Sequence, residues 1–487
     1  MRLDFDLAGK KAMGLIQKIC AAIEKEGGRA FLVGGLVRDL AMVKLGLINA
    51  ENLSPARDFD IEAYQIDAEK LRTVLAKFGR VGAVGEAFTV YKLAFGHAEN
   101  RIELDVSLPR RESKTGRGHK GFLVVGDPDM TIEEAAKRRD LTINAILCQP
   151  TTGEIIDPYH GIEDLKQRLL RVVDPTTFIE DSLRVLRIMQ FAARFEFRIS
   201  EDTKTLCQTI DLLDLPCERI WGEIEKLLLR AKRPSIGWQV ALEMGVIDQL
   251  FPELKALVGC PQEKQWHPEG DVWIHTLQAI DEAAQLISDL PKAQQITIML
   301  AVLCHDAGKP STTEVINGRI RSLAHEEAGV KPTEQFLDRL NIHTFDGYNV
   351  REQVIGLVAN HLKPGQFFKQ KETVTDGAFR RLAQKCEMEL LYRVAKADSL
   401  GRHAADAPEP NADAQEWFRA RVLELGVEKE APQALLLGRH LLDLGLSPGR
   451  QIGQITRAVY ELQLDGKVTN LAEAINAAKE LIATQSN

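Results

Sequence analysis

The sequence lacks a long apolar run and an excess of positive charge. No window of about 18 consecutive apolar residues occurs in the 487-residue chain, so the sequence predicts no membrane-spanning helix. The 62 Lys and Arg residues are outnumbered by 70 Asp and Glu residues, which gives a net charge of −8. This balance excludes a uniformly basic nucleic-acid coat. It still permits an enzyme that acts on nucleic acid, because such an enzyme needs only a local basic groove.

Cysteine is also scarce, and its spacing is irregular. The seven cysteines are scattered, odd in number and never spaced C-x-x-C, so they predict neither a disulfide framework nor a zinc cage. We therefore expect a protein of the reducing cytoplasm. No internal repeat or low-complexity tract is present. The 45% hydrophobic content is typical of a globular protein, and the length predicts about three domains of roughly 150 residues.

The pattern of apolar residues changes along the chain. Helix and strand signals alternate at first, which predicts an α/β domain over residues 1–160. Amphipathic helices dominate afterwards. They predict a helical domain at 161–260, a His-rich helical block at 261–403 and a helical C-terminal segment at 414–487. Residues 404–413, AADAPEPNAD, are expected to form a linker because of their composition.

A glycine pair marks the first candidate site. Gly34 and Gly35 lie between a predicted strand over Ala30–Val33 and a predicted helix that carries Arg38. Glycines at such a turn let backbone N–H groups approach a phosphate, and the N-terminus of the helix favours anions. The alternative is a tight strand-to-helix turn with no ligand.

Two carboxylates follow on the next predicted strand. Strict alternation from Asp58 to Tyr64 places Asp58 and Asp60 on one face, about 7 Å apart along the strand. Acids that repel each other in this way are typical ligands of Mg²⁺, and Asp105 on a nearby strand would supply a third. Three acids around Mg²⁺ are the arrangement used for in-line phosphoryl transfer. The alternative is a solvated strand face.

Arginines gather near two further helices. Arg139 and Asp140 end one predicted helix, and Asn144 follows; basic residues in this position also serve simply as partners of the helix dipole. Asp181 and Arg184 are three residues apart at the start of another predicted helix, which would place them on one face. A surface ion pair is the simplest interpretation.

The same two side chains also match the chemistry of two bases. A carboxylate only accepts hydrogen bonds, and a guanidinium only donates them. Cytosine and adenine each present an amino donor beside a ring-nitrogen acceptor, whereas uracil and guanine present the reverse order. Asp181 and Arg184 would therefore accept C or A and leave U or G with unpaired buried groups.

Five motifs together resemble one family, the class II tRNA nucleotidyltransferases, or CCA-adding enzymes, with their poly(A) polymerase relatives. The motifs occur in the family's order. They are GGLVRD (34–39), RDFDIE (57–62), RRDLTINAI (138–146), DPYHGIEDL (157–165) and EDSLRVLRIMQFAARF (180–195).

The resemblance implies a polymerase-β-like palm followed by an all-α body. Asp58 and Asp60 would hold Mg²⁺ as catalytic residues, with Asp105 as the third acid suggested by its strand. The family's nucleotide-binding positions fall on Gly34, Gly35, Arg38, Arg139, Asp140, Asn144, Asp181, Arg184 and Arg187. Among them, Asp181 and Arg184 would act as the protein template for C and A.

Two further features bear on the type of enzyme. Residues 109–122, PRRESKTGRGHKGF, resemble the family's flexible loop, which is associated with switching from C to A addition and is usually shortened in enzymes that add only CC. A full CCA enzyme is therefore favoured. Gln190 stands where many members of the family carry a second arginine after Arg187, so a second phosphate or base contact is in doubt there.

The His-rich block resembles HD-superfamily domains, many of which are metal phosphohydrolases. The matching ligands are His275, His305, Asp306 and Asp398, which would enclose one or two transition-metal ions. His325 and His361 lie in the same block. Both an active hydrolase and a degenerate HD fold that serves as part of a tRNA-binding body remain open.

Together these features predict a cytoplasmic, Mg²⁺-dependent nucleotidyltransferase that builds or repairs the 3′ CCA end of tRNA from CTP and ATP without a nucleic-acid template. Its partners would be the tRNA 3′ end and the two nucleotides, with no membrane. A poly(A) polymerase that uses the same palm is one alternative. A metal phosphohydrolase whose palm is an RNA-binding relic is the other.

Overall fold

The computed structural model describes residues 1–5, 9–52, 58–84, 90–96, 101–114, 122–404 and 408–485. The chain forms two compact units. The first comprises Met1–Glu223 and Val240–Gln249, and the second comprises Ile224–Gln239 and Leu250–Asn487. The expected domain boundaries near residues 160 and 260 stay predictions.

The first unit combines a mixed sheet with helices. Its strands are β1 (Arg29–Val33), β2 (Asp58–Tyr64), β3 (Gly82–Val84), β4 (Val90–Phe95), β5 (Ile102–Ser107), β6 (Arg110–Lys114), β7 (Phe122–Gly126), β8 (Leu147–Cys148), β9 (Ile155–Ile156), β10 (Leu169–Leu170) and β11 (Arg198–Ile199). Its helices are α1 (Lys10–Lys25), α2 (Gly35–Lys44), α3 (Ala68–Ala76), α4 (Ile132–Lys137), α5 (Gly161–Gln167), α6 (Pro175–Phe178), α7 (Leu183–Phe195) and α8 (Glu201–Gln208). Short 3₁₀ turns span Ala50–Asn52 and Thr142–Asn144.

Seven strands form the main sheet, in the order β3-β4-β5-β2-β1-β8-β9. Strands β2 and β5 are parallel neighbours, whereas β1 pairs with β2 and β4 pairs with β5 in antiparallel fashion. The alternating sequence of β2 buries Phe59, Ile61 and Ala63 and turns Asp58 and Asp60 to the solvent side. The strand predicted from alternation is therefore confirmed, and it lies near the centre of the sheet.

Local sequence signals account for the helices beside this sheet. Helix α1 buries the apolar stripe that includes Ile16, Ile19 and Ile23, and it packs against β1. Helix α4 begins at a capping box. The Thr131 hydroxyl accepts from the Glu134 N–H, and the Glu134 carboxylate accepts from the Thr131 N–H.

The loop expected at residues 109–122 is in part a pair of strands. Strands β6 and β7 pair as an antiparallel hairpin from Arg110↔Gly126 to Lys114↔Phe122. The first strand is polar throughout (RRESK) and the second is apolar up to its final glycine (FLVVG), so neither shows the alternation that marks a half-buried strand in a sequence. Residues 115–121, the centre of the family's proposed flexible loop, lie outside the described residues.

The second unit is mainly helical. Helices α9 (Cys217–Arg230), α10 (Pro234–Glu243) and α11 (Val246–Leu250) contribute residues to both units. The remaining helices are α12 (Pro252–Lys255), α13 (Val272–Gln285), α14 (Lys292–Cys304), α15 (Lys309–Thr312), α16 (His325–Ala328), α17 (Val330–Arg339), α18 (Val350–Val358), α19 (Lys363–Lys369), α20 (Asp376–Leu382), α21 (Met388–Leu400), α22 (Asp413–Leu425), α23 (Gly438–Asp443), α24 (Arg450–Leu464) and α25 (Leu471–Gln485).

Helix α14 is the centre of this unit. Every residue from Ile296 to Cys304 is buried, as expected for a helix that is apolar on all sides, and it packs against α13, α18 and α21. Strands β12 (Thr313–Ile316) and β13 (Arg319–Ser322) add a hairpin that strand signals did not reveal. In the predicted linker, residues 405–407 lie outside the described part of the chain, and α22 begins at Asp413. Within the described ranges, no helix combines the length and the apolar character needed to cross a membrane.

Candidate functional site

Three carboxylates meet on the solvent side of the main sheet. Asp58 and Asp60 share one face of β2, and the parallel register places Asp60 directly beside Asp105 of β5. All three are oxygen donors, and strands β2 and β5 are held by neighbours on both sides. This set fits Mg²⁺, which binds through carboxylate oxygens while keeping several waters.

The neighbouring carboxylates affect the pKa of Asp60. Partial desolvation in the cleft raises the pKa of Asp60, and the nearby charges of Asp105 and Asp58 raise it further, against the lowering effect of Arg139. Lys92 of β4 lies opposite Asp105 and donates to its Oδ2 at 2.8 Å. Sequence reasoning missed Lys92. The one signal for it was its position on the outward face of an alternating strand.

The glycine turn closes onto the same acids. Gly34 has φ +76°, and a Cβ built on it would lie 3.1 Å from Asp60 Oδ2 and 3.9 Å from Arg139 Nη1. A side chain there would be strained in its backbone and would crowd the carboxylate. The glycine therefore lets β1, the start of α2 and the acid pair approach one another.

Behind the turn, Arg38 is buried and held from two directions. Its Nε donates to Asp39 Oδ1 at 2.8 Å, and its Nη1 donates to Asn144 Oδ1 at 2.8 Å. Its guanidinium also lies over the rings of Phe195 and Phe191, at 4.7 and 5.2 Å from the centroids. Here Arg38 is fixed beneath the glycine turn. A triphosphate contact for it stays a prediction.

Asp140 continues this network. Its Oδ1 accepts from Asn144 Nδ2 and from the Leu141 N–H, and its Oδ2 accepts from Arg187 Nε at 2.7 Å. Burial favours the neutral acid, but the Arg187 charge and these hydrogen bonds outweigh it and lower the pKa of Asp140. The Asp140 carboxylate in turn raises the pKa of Arg187 despite its burial. Helix α7 is thereby tied to the segment that follows α4.

Gln190, the departure from the family's pattern, is buried in α7. Its Oε1 accepts from Arg194 Nη1 at 3.4 Å. The Arg194 guanidinium lies over Phe191 and Phe195, whose rings stack 5.5 Å apart. In this structure, Gln190 therefore belongs to the packing around the aromatic pair.

A cleft of about 330 Å³ opens above the acids. Acidic residues line one part of it and arginines another: Asp60, Glu62 and Asp105 on the sheet, with Arg110, Arg138, Arg139 and Arg184. Arg139 lies 3.7 Å from Glu62, which also accepts from the Tyr64 hydroxyl at 2.7 Å. A cleft with carboxylates beside arginines suits a metal–triphosphate, because each half binds one component.

The spacing of Asp181 and Arg184 predicted that the two side chains share one face of a helix, and this prediction is wrong. Helix α7 begins at Leu183, so Asp181 precedes it and accepts from the Leu183 N–H. Its Oδ2 accepts from Arg219 of α9 at 2.9 Å. Arg184 donates to the carbonyl oxygens of Thr177 at 2.6 Å and Arg138 at 2.7 Å. The described contacts therefore include no direct Asp181–Arg184 ion pair, and Arg184 reaches the cleft in a fixed orientation.

The second unit holds a separate cluster of buried imidazoles and carboxylates. His275 Nε2 lies 3.2 Å from His305 Nε2 and 3.1 Å from Asp398 Oδ1. Donor atoms of Asp306, His325 and His361 lie within 4.8 Å of one another beside them. The four predicted ligands thus come together, from helices α13 and α21 and the turn after α14.

Each imidazole is oriented by its other ring nitrogen. The Nδ1 atoms of His305, His325 and His361 each lie 2.7 Å from a backbone carbonyl three residues earlier, and only a protonated Nδ1 can donate there. His275 Nδ1 lies 2.9 Å from a carboxylate oxygen of Glu269. In the neutral rings of His305, His325 and His361 these contacts leave Nε2 as an acceptor directed at the cluster, which is the arrangement of metal-ligating histidine.

Burial and the charges of neighbouring side chains shift the pKa values of the residues in this cluster. Desolvation, with the neighbouring His305 and His325, lowers the pKa of His361 to about 3. The pKa of Asp306 and that of Asp398 are held well below their usual range, since His305 with Lys309 and Arg402 with His275 outweigh the effect of burial. His325 Nε2 is buried without a hydrogen-bond partner among the described residues. Burial lowers the pKa of His275, but its hydrogen bonds with Asp398 and Glu269 outweigh that effect and raise it. Ionised carboxylates beside buried ring nitrogens fit a bound transition metal.

Sequence reasoning identified four of these residues and did not assign the rest. His325 and His361 join the cluster, although the spacing between them gives no motif. Glu269 orients both His275 and His267 at 2.9 Å. Burial raises the pKa of Glu269, but the contacts with these two histidines outweigh that effect and lower it to about 2. Lys309, 2.7 Å from Asp306, was visible in the motif but received no role.

Family comparisons agree with this geometry. Residues 30–171 match the poly A polymerase head domain, residues 196–257 match the probable RNA and SrmB-binding site of polymerase A, and residues 272–402 match the HD domain. These three models together match about two thirds of the chain.

Solved structures of CCA-adding enzymes share the fold. A CCA-adding enzyme with CTP is 18% identical, with a TM-score of 0.62, and the match covers 100% of this chain and 99% of the other. The Bacillus stearothermophilus CCA-adding enzyme in complex with CTP is 20% identical (TM-score 0.62; coverage 97% and 98%). The Thermotoga maritima CCA-adding enzyme complexed with tRNA is 18% identical (TM-score 0.59; coverage 99% of each chain).

The match to the head domain contains the three palm acids, and the match to the HD domain contains the buried HD cluster. The chain therefore carries the head domain and the RNA-binding region of the poly A polymerase family followed by an HD domain, in a fold that it shares with CCA-adding enzymes.

Proposed function

We propose that this chain builds or repairs the 3′ CCA end of tRNA from CTP and ATP. The observation that carries this proposal is the group of Asp58, Asp60 and Asp105 on adjacent parallel strands, where Asp60 and Asp105 line a cleft together with arginines. CCA-adding enzymes of the same fold are known in complexes with CTP, ATP and tRNA, which supports these partners.

The proposed reaction is an in-line phosphoryl transfer. The 3′ hydroxyl of tRNA forms a bond to the α-phosphorus, the bond to the pyrophosphate oxygen breaks, and the hydroxyl proton passes to solvent. Asp58, Asp60 and Asp105 would hold Mg²⁺, which supplies positive charge to the transferring phosphate. Arg138 and Arg139 bear charge complementary to a triphosphate on the opposite side of the cleft.

Two groups of residues would serve nucleotide binding differently. Asp181 and Arg184 would select C and A, with Arg184 oriented by the Thr177 and Arg138 carbonyls. Gly34, Gly35, Arg38, Asp140, Asn144 and Arg187 would shape the wall behind the nucleotide, since their side chains or turn are packed or hydrogen-bonded to one another. We assign Arg38 and Asp140 as positioning residues on this basis.

The direct test uses purified chain, CTP or ATP alone, and two RNA acceptors. One is tRNA that ends at the discriminator base, and the other is an unstructured RNA of the same length. We expect CTP to extend the tRNA by two residues and the unstructured RNA hardly at all. A long tail from ATP alone on either acceptor would replace this proposal with the poly(A) polymerase alternative.

A second candidate function has its own observation. The fixed Nδ1 contacts of His305, His325 and His361 favour an HD domain that holds metal and hydrolyses phosphate esters. Water would form a bond to phosphorus, the ester P–O bond would break, and the proton would leave with the alcohol. The bound metal would lower the pKa of the attacking water. A degenerate HD fold would retain the helices without requiring such oriented imidazoles.

Release of phosphate from simple esters, measured with and without a chelator, tests this second function. Chelator-sensitive release supports the hydrolase. If phosphate release occurs while no nucleotide is added to tRNA, the palm is a relic, and the hydrolase is the main activity.

A further inference from the structure

Lys92 extends the line of palm acids onto a third strand. Strand β4 alternates, so Tyr91 and Leu93 are buried and Lys92 is turned to the solvent side of the sheet. The antiparallel register of β4 with β5 places Lys92 opposite Asp105, and the parallel register of β5 with β2 places Asp105 beside Asp60. Residues paired in this way share one face of a sheet. Lys92 therefore lies in line with two of the acids proposed to hold Mg²⁺.

The Lys92 ammonium contacts the third acid through one oxygen. Its Nζ donates to Asp105 Oδ2 at 2.8 Å. The two side chains are 52% and 33% exposed, so water screens the pair and its contribution to stability is small. The contact does, however, distinguish the two carboxylate oxygens of Asp105. With Oδ2 accepting from Lys92, Oδ1 is the oxygen that can bind a cation.

The charge of Lys92 acts on more than this one acid. The hydrogen bond to Asp105, together with the negative charges of Asp105, Glu103 and Asp60, raises the pKa of Lys92. Desolvation raises the pKa of Asp60, and the charge of Lys92 opposes that rise. Glu103, the other acid near Lys92 on β5, is paired with Arg101 at 2.9 Å. The Lys92 ammonium is therefore placed against the acids of the proposed metal site.

The charge balance of that site shows what such an ammonium would do. Three ionised carboxylates carry three negative charges, one more than a single Mg²⁺ neutralises. The affinity of an oxygen site for a divalent cation rises with the number of charged ligands, so three unopposed acids would hold a free cation firmly. An ammonium in contact with one of the three offsets part of this charge. The nucleotide triphosphate, which brings its own oxygens, would then supply the rest of the binding.

We propose that Lys92 is a positioning residue of the palm. It orients Asp105 through Oδ2 and keeps the affinity of the three acids for a free divalent cation low, so that cation and nucleotide bind together. This inference rests on the proposed nucleotidyltransferase for the nucleotide step, but not for the binding of the cation. The alternative is an exposed ion pair with no role at the metal site.

Three variants separate the charge, the contact and the location. Lys92→Met removes the ammonium and keeps an unbranched side chain, and Lys92→Arg keeps the charge and the donors. Arg101→Met is the matched control, because it removes a cation paired with Glu103, an acid of the same strand that is not a proposed ligand. Both cations are more than half exposed, so we expect the urea midpoints of all three variants to equal that of the wild type.

Binding of the cation is measured first, without nucleotide. The full-length protein is dialysed so that it keeps only tightly held metal, and it is then titrated with Mn²⁺ while electron paramagnetic resonance reports the free ion. Asp58→Ala, introduced into each background, gives the binding that does not depend on the palm, and this is subtracted.

The titration has a defined direction. We expect Lys92→Met to bind Mn²⁺ about 5- to 30-fold more tightly than the wild type, because a unit charge close to a divalent ion has an effect of this order even when water screens it. Lys92→Arg and Arg101→Met should match the wild type. Unchanged or weaker binding of Mn²⁺ by Lys92→Met would overturn the proposal.

Nucleotide addition supplies the second readout. In Lys92→Met, the Mg²⁺ concentration that gives half the maximal rate should fall, and kcat for CTP incorporation should drop roughly 10-fold as Asp105 loses the contact that orients it. The KM for tRNA should change little, and Lys92→Arg should restore both quantities. A lower kcat with an unchanged Mg²⁺ requirement would contradict the role of the Lys92 charge.

The two proposals fail separately. If the wild type adds no nucleotide to tRNA, the proposed function fails, and the Mn²⁺ titration still decides the role of Lys92. If the wild type adds CCA while Lys92→Met behaves like Arg101→Met in both measurements, the role of Lys92 fails and the proposed function stands.

Discussion

The two candidate metal sites of this chain differ in almost every physical respect. The palm site consists of carboxylates on sheet strands, open to solvent, with Lys92 and Arg139 as nearby positive charges. The HD site is buried among helices and combines imidazoles with carboxylates, each imidazole fixed through its second nitrogen. The difference indicates two modes of metal use. The first suits a cation that arrives with a nucleotide, and the second suits an ion that the protein retains.

The largest expected effect is on the rate of nucleotide addition, when a carboxylate of the palm site is removed. Asp58→Ala should lower nucleotide addition by about three orders of magnitude or more, because the Mg²⁺ that stabilises the phosphate loses a ligand. Binding of tRNA should change little. Rates of CTP incorporation and filter binding of tRNA measure both quantities. Glu163→Gln, an exposed acid of the same unit, is the matched control. Near-normal incorporation by Asp58→Ala in a folded protein would refute the catalytic assignment.

The second prediction concerns the removal of two metal ligands from the HD site. His305→Ala combined with Asp306→Ala should remove metal that survives dialysis and reduce phosphate release to background, because two buried ligands are lost. Nucleotide addition should persist, since the palm acids belong to the other compact unit. Metal content by mass spectrometry and both activities are measured, with the exposed His343→Ala as control. Loss of nucleotide addition in a well-folded double variant would show that the two sites are coupled.

A third prediction concerns stability in the first unit. Asp140→Ala removes a buried carboxylate that accepts hydrogen bonds from Arg187, Asn144 and the Leu141 N–H. It should lower the free energy of unfolding by about 1.5–3 kcal/mol, because the Arg187 side chain is 33% exposed and stays partly hydrated. Because the pKa of Asp140 is lowered in the folded state, this contribution is fully present above the unfolded value of about 3.8 and is lost as pH falls through the folded value. Urea denaturation at pH 7, 5 and 3 measures it.

The control for this pair is Lys166→Ala. It removes an exposed ion pair with Glu163 in the same unit and should leave the urea midpoint unchanged. An Asp140→Ala midpoint equal to that of the control would contradict a structural role for the Asp140–Arg187 contact.

The smallest expected effect concerns nucleotide choice. Arg184→Ala should reduce discrimination against UTP and GTP by about one to two decades, since a hydrogen bond from a charged group is worth about 1.5–3 kcal/mol. Single-turnover incorporation of the four nucleotides on tRNA lacking CCA, and on tRNA ending in CC, provides the measurement. Arg184→Lys keeps the charge but loses the fork that contacts Thr177 and Arg138, so it should recover little selectivity. Unchanged discrimination would remove the templating role.

Local patterns explain why much of the palm was predictable. The alternation of Asp58 to Tyr64 determines which side chains share a face, and Thr131 with Glu134 defines a helix start within four residues. These relations are short in sequence and depend on backbone geometry alone. The sequence is therefore sufficient to place Asp58 and Asp60 on one face of a strand.

Other features depend on contacts distant in sequence. The partner of Asp181 is Arg219, 38 residues away, and it displaces the pair with Arg184 that spacing suggested. Lys92 meets Asp105 only through strand pairing. His325 and His361 join the HD cluster through the packing of several helices, and no periodicity encodes that packing. Tertiary packing, which local sequence rules do not contain, determined each of these outcomes.

The central claim is that the palm adds C, C and A to tRNA and then stops. It is tested most directly by sequencing the 3′ ends of products formed on tRNA that ends at the discriminator base, with all four nucleotides present at equal concentration. The account predicts that nearly all extended molecules end in CCA with no further residue. Products that end in long A tracts, or in mixtures that include U and G, would contradict it.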